Sequence, residues 1–329
     1  MYSIIMHIVL CLCTVFLSSV LNAQNSYETT DEYVQNLGKP SPEITELTHI
    51  IISPFSTDTE KARAIYSWIA NNISVDVKQY LKGKTGSSKP VSVPNAGAEQ
   101  DLLPDTRLNK ILKKKKGLSS EYANLFARMC NIAGINSVVV SGVTRMNPHL
   151  AGRTVKQNDH FWNAIYLENE WFIVDVQSGA GIICPTEKKF IKKFRSEFFL
   201  IKPETAILSH FPGSDQNQFL ETNVSRAEMK NLPVIGYGYL KFGVSEYSPS
   251  SGIYQNSDPK ALIIKIRFRE NPEKFFTVEG SRKTEIQGFK NDEGFTFLGI
   301  DVGTRRNRIV TITGKKGEEV YDIITYKID

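Results

Sequence analysis

Three short stretches hold residue types that together perform acyl transfer. Lys116-Gly117-Leu118-Ser119-Ser120-Glu121-Tyr122 reads as a glycine turn feeding a helix, with the hydroxyl of Ser119 in its first turn. Asp159-His160-Phe161-Trp162-Asn163 opens an apolar strand with an imidazole, and Trp171-Phe172-Ile173-Val174-Asp175 closes another with a carboxylate. Glu168-Asn169-Glu170 between them reads as a hairpin turn, so His160 and Asp175 both fall towards the open end. A histidine oriented by a carboxylate is the base half of a catalytic triad, and a helix-borne nucleophile would complete it. Trp162, Asn163 and Tyr122 are candidate walls of the cleft. Each residue also has a plainer reading. Serine is a preferred N-cap, and a lone strand histidine, a strand-end acid and hairpin tryptophans are ordinary structural residues.

Recognisable elements must position these groups. Ala62, Ile65, Trp68, Ile69 and Ile73 repeat at helical spacing, and Thr57 with Glu60 has the spacing of a capping box, which predicts a helix over 57–73. The Lys-, Gly-, Ser- and Pro-rich stretch 82–104 reads as a long loop. Tyr122, Leu125, Phe126 and Met129 share one face of a helix from Ser119 to Ala133, with Gly134 at its C-terminal stop. Strands are expected over 137–142, 160–167 and 171–176. Beyond about residue 230 the texture is β only. Ile264, Ile266 and Phe268 alternate with charged residues, and 274–278, 295–302, 308–313 and 321–328 are further strands, which predicts an antiparallel sandwich.

The whole chain of 329 residues is 41% hydrophobic, with Lys+Arg 40 against Asp+Glu 35, enough apolar material for one large or two medium cores. Collagenous, coiled-coil and disulfide-scaffold classes are excluded, and a spread net charge of +5 gives no nucleic-acid footprint. No C-x-x-C, H-E-x-x-H or histidine cluster marks a metal site, and no cofactor is implied. The run Lys113–Lys116 reads first as a solvated turn and second as an attractor of acidic partners or lipid headgroups. Residues 4–21 carry no charge and are followed by Asn22-Ala23-Gln24 and a polar stretch, which reads as a signal peptide over 1–23 and an exported protein, periplasmic, cell-surface or secreted. Membrane contact is expected only if that segment is retained. Cleavage there would remove Cys11 and Cys13 and leave Cys130 and Cys184, two thiols that could pair in an oxidising compartment but need not.

Taken together, the helix AIYSWIANNIS, the glycine-to-helix segment, HFWN and WFIVD resemble the transglutaminase-like superfamily in order and in the fifteen-residue spacing of His160 and Asp175. Ser209-His210-Phe211-Pro212 is similar to the signature of its kyphoscoliosis peptidase and hillarin branch. The resemblance implies an α+β fold: a papain-like core over 55–225, after an extension over 24–54, then an immunoglobulin-like antiparallel β-sandwich over 230–329. It also implies a triad of Ser119, His160 and Asp175. In the family the first of these is a cysteine whose thiolate attacks a carboxamide or peptide carbonyl. Here the pattern Gly-Val-Cys is replaced by Gly117-Leu118-Ser119. A thiol of pKa about 8.5 is ionised readily by a helix N-terminus and an imidazolium, whereas a serine hydroxyl is not. Cys130, eleven residues on, lies about 16 Å along the helix and cannot substitute, and Cys184 sits in an expected glycine-rich loop. Two functions follow as expectations: an impaired transglutaminase/protease relative that binds a protein or peptide containing glutamine or lysine, or an active Ser119–His160–Asp175 acyl transferase or peptidase.

Overall fold

The computed structural model describes residues 27–38, 41–83, 102–155, 158–255, 261–303 and 306–329. The expected signal segment and residues 84–101 of the expected loop lie outside them. Two compact units divide the described chain. One holds residues 27–83, 102–139 and 162–199, and the other holds 140–161 and 200–329.

The first unit begins with α1 (residues 27–36) and α2 (Ile44–Ile52), followed by α3 (Asp58–Asn72). Helix α3 starts as its sequence dictates: Thr57 Oγ1 accepts the Glu60 N–H, and Glu60 reaches back to the Thr57 N–H. Its inner face, Ile65, Trp68 and Ile69, is buried and packs on α6 (Ser119–Ile132), which buries Leu125, Phe126 and Met129. Between them lie β1 (Ser74–Val75), α4 (Val77–Tyr80), α5 (Asp105–Lys114) and β2 (Lys116–Gly117). Arg63 in this helix is 1% exposed. It forms a two-pronged bond to Asp31 at 2.9 and 2.6 Å, with the rings of Tyr27, Tyr66, Phe194 and Phe199 around its guanidinium. A buried cation is tolerable only with such pairing, and here it fastens α1 to α3.

Strand β3 runs Ser137–Thr144, β4 His160–Leu167 and β5 Glu170–Val174. The β4–β5 hairpin pairs Asn163 with Val174 through to Leu167 with Glu170. Its turn is two residues rather than the expected three, because Glu168 and Asn169 both take positive φ (52° and 64°), the twist that suits a tight hairpin. After β5 the chain forms a five-residue helix, α7 (Val176–Ala180), and then a two-stranded ribbon of β6 (Gly181–Cys184) and β7 (Lys189–Lys192). Cys184 therefore ends a strand, correcting the expected loop.

In the second unit, β8 (His210–Pro212) pairs antiparallel with the end of β3, His210 opposite Thr144. The sandwich strands are β9 (Val234–Ile235), β10 (Val244–Ser248), β11 (Ile253–Tyr254), β12 (Ala261–Phe268), β13 (Lys274–Glu279), β14 (Arg282–Ile286), β15 (Gly288–Lys290), β16 (Phe295–Asp301), β17 (Arg308–Lys316) and β18 (Glu319–Ile328). One sheet has the order β10-β12-β16-β15, the other β11-β18-β17-β13-β14 with β9 also on β18. The expected alternation holds in β12, where Leu262, Ile264, Ile266 and Phe268 point inward to meet Val310, Ile312, Ile324 and Tyr326 of the facing sheet. One pair departs from antiparallel: β11 runs parallel to β18.

Candidate active site

The turn before α6 is held by its backbone. Val75 of β1 pairs with Gly117 of β2, and the Asp76 N–H donates to Gly117 O. Leu118, not Ser119, is the N-cap. Its φ of −104° and ψ of 175° are extended, and its N–H donates to the Glu121 carboxylate at 2.9 Å. Ser119 is the first helical residue and 3% exposed, which corrects the plain reading of this serine as the cap. The helix behind it is fixed by buried polar groups. Tyr122 Oη donates to Ile73 O at 2.7 Å, Asn124 Nδ2 donates to Ser120 O, and Asn124 Oδ1 accepts the Leu103 N–H.

Asp175 was expected on the return strand. It stands one residue past it and caps α7: its carboxylate accepts the Ser178 N–H at 3.0 Å and the Ser178 Oγ–H at 2.6 Å. Its own N–H donates to Phe198 O. The side chain has no exposure, and its negative charge adds to burial in holding the phenols of Tyr66 and Tyr122 above their usual range. Ser178 is thus a partner of this acid that sequence reasoning missed. The signal was the spacing Asp-x-x-Ser ahead of small residues, a capping pattern. Helix α7 packs on both α3 and α6.

His160 opens β4 and is 8% exposed. The neighbouring Asp159 N–H donates to Gly142 O, and its carboxylate accepts the Thr144 N–H at 3.1 Å. In β8, His210 Nδ1 lies 2.8 Å from Ser209 Oγ, and its ring centroid lies 6.4 Å from that of His160. His210 is 2% exposed.

The three positions expected to wall a cleft are interior. Trp162, Asn163 and Tyr122 are each 1% exposed. Asn163 Nδ2 donates to Ala123 O at 3.0 Å, so this side chain joins strand to helix rather than facing a ligand. Among the described residues both cysteines, Cys130 and Cys184, are free. Cys130 is fully buried, which pushes its thiol well above the usual range, and Cys184 Sγ lies against Thr186 and Glu187. Among the described residues no group of three His, Cys, Asp or Glu side chains is arranged to hold a metal ion. No described helix is long and apolar enough to cross a membrane.

Residues 45–176 match the transglutaminase-like superfamily. The chain is 28% identical over 221 residues to kyphoscoliosis peptidase of Mus musculus, covering 67% of this chain and 31% of that protein. It is 25% identical to hillarin of Drosophila melanogaster, covering 61% and 24%, and 24% identical to cytokinesis protein 3 of Saccharomyces cerevisiae, covering 68% and 24%. The chain spans about a third or less of the length of these relatives. A solved putative cysteine protease from Cytophaga hutchinsonii is 17% identical, with a TM-score of 0.28 over 49% of this chain and 48% of that one. Residues 45–176 thus carry a transglutaminase-like domain, and the chain is similar over part of its length to kyphoscoliosis peptidase and hillarin.

Proposed function

We propose that this is an exported transglutaminase/protease-like protein whose nucleophile position is occupied by Ser119, catalytically impaired, and acting by binding a protein or peptide segment that contains glutamine or lysine. The observation that carries the reading is Ser119 itself, the first residue of a helix whose cap and preceding strand are held in place. The partial positive charge of a helix N-terminus lowers a thiol's pKa enough to ionise it near neutrality. A hydroxyl starts many units too high for the same field to matter. Neither remaining thiol supports a rescue: Cys130 is buried eleven residues along α6, and Cys184 ends β6 beside Glu187.

The competing reading is an active Ser119–His160–Asp175 triad. A Ser119→Cys variant separates the two when assayed for amine incorporation into, and hydrolysis of, glutamine-containing peptides. Thiol-dependent activity in the variant, absent in the wild type, is the expected result. Equal activity in both would mean that the serine is already a working nucleophile.

A further inference from the structure

In the first unit, β1 is the hub of a lysine-rich surface. On one side Ser74 pairs with Lys116, the last of the run Lys113–Lys116, all four exposed as α5 ends and the chain turns at Lys115 with φ 51°. On the other side β7 lies against β1, and Lys192 Nζ donates to the carbonyls of Ala70 and Ile73 at the end of α3. The ribbon tip beside it carries Lys188 and Lys189. The chain leaves β1 through Asp76 into α4, where Lys78 is exposed. Three described carboxylates beside these lysines are already engaged. Asp76 caps α4, Glu187 pairs with Lys189, and Glu121 is held by Leu118 N–H and Arg107.

The elements around β1 also expose large apolar side chains. Tyr80 and Leu81 at the end of α4 are 41% and 43% exposed, and Ile182 and Ile191, opposite each other in the ribbon, 36% and 41%. We infer that this lysine-rich, apolar-studded face of the first unit docks onto an anionic lipid bilayer surface. Charge complementarity argues for the bilayer. The cations here are lysines, compact point charges that respond to a diffuse negative field, and they are not the guanidinium forks that select individual peptide carboxylates. Tyrosine and aliphatic side chains beside lysines are the mixture that seats a folded surface in a headgroup layer. The contact belongs to the folded unit and needs no retained leader segment.

The test is co-sedimentation of the full chain with vesicles of phosphatidylcholine, with and without about 30 mol% phosphatidylglycerol. Any contribution of the apolar N-terminus is common to both vesicle types, so the difference reads the patch. Partitioning at least tenfold stronger onto the anionic vesicles, lost at high salt, is expected. Lys114→Glu with Lys188→Glu should weaken it roughly ten- to thirtyfold, by the effect typical of two surface lysines. Lys283→Glu with Lys290→Glu, the same change of net charge on the sandwich, should weaken it less than threefold. The salt dependence of the wild type stands whether or not the variants fold. Equal partitioning onto neutral and anionic vesicles, equal losses in the two double variants, or tight binding of polyglutamate without vesicle binding would each overturn the inference.

Discussion

Gly179 of α7 is in contact with Tyr66 of α3, and Gly179→Ala tests whether that contact sets the position of the helix capped by Asp175. A methyl group at this position would meet the Tyr66 hydroxyl and stand 2.7 Å from its Cζ and 3.0 Å from its Cε2. Tyr66 is fully buried and cannot swing into solvent, and its hydroxyl donates to Arg195 O at 2.5 Å. Relief of the clash therefore breaks a buried hydrogen bond, at about 1–3 kcal/mol. It also overpacks a dense interior, at about 1–3 kcal/mol more. Replacing glycine within a helix returns about 1 kcal/mol. The net expectation is a loss of about 1–5 kcal/mol, seen as a fall in Tm of roughly 2–20 °C for a domain of this size. Urea denaturation of Gly179→Ala, Tyr66→Phe and the double variant checks the mechanism. Removing the hydroxyl should recover about 1 kcal/mol or more relative to the sum of the single effects. A Gly179→Ala variant within about 0.5 kcal/mol of wild type, or strict additivity with Tyr66→Phe, would refute the packing argument.

Thr57→Ala removes one arm of the capping box on α3 and should cost about 1 kcal/mol by chemical denaturation. Arg145 is 1% exposed and donates to the carbonyls of Leu232 and Pro233 at 2.7 and 3.0 Å. Burial pushes its guanidinium down to about 10, so the charge is still present at neutral pH. Arg145→Met keeps the bulk but strands two carbonyl acceptors, with an expected loss of about 2–4 kcal/mol in thermal or chemical unfolding. Asp105 is held below the usual carboxylate range by its hydrogen bonds from Arg128. A depressed native pKa gives stability that is complete above the unfolded value near 3.8 and lost as pH falls through the native one. The destabilisation of Asp105→Asn measured at pH 7 should therefore shrink towards zero in acid.

Much of the fold is readable where one periodicity governs a segment. The i, i+3, i+4 spacing of Ile65, Trp68 and Ile69 with the Thr57–Glu60 box gives α3 nearly to the residue, and alternation gives β12. Strand β14 was missed because four of its five residues, Arg282 to Glu285, are exposed, so an edge strand offers no buried face to read. Helix α7 was missed because five residues are too short for a periodic signal, and Asp175 was read as the end of the strand it follows. The buried arginines 63 and 145 carry no sequence mark, since each depends on partners distant in sequence, Asp31 and the Leu232–Pro233 backbone. At the candidate site the segments around Ser119, His160 and Asp175 marked a helix start, a strand start and the end of a strand, and the structure places the first two in those elements and Asp175 one residue past its strand. Their roles in capping and burial were not legible, because Glu121 and Ser178 take up the capping interactions.

Ser119 is proposed to occupy a nucleophile's position without acting as one. Treating the chain with a fluorophosphonate probe, alongside Ser119→Ala and His160→Ala variants, tests it directly. No labelling of the wild type above that of either variant is expected. Stoichiometric labelling of Ser119 that disappears in both variants would contradict it and establish a serine triad.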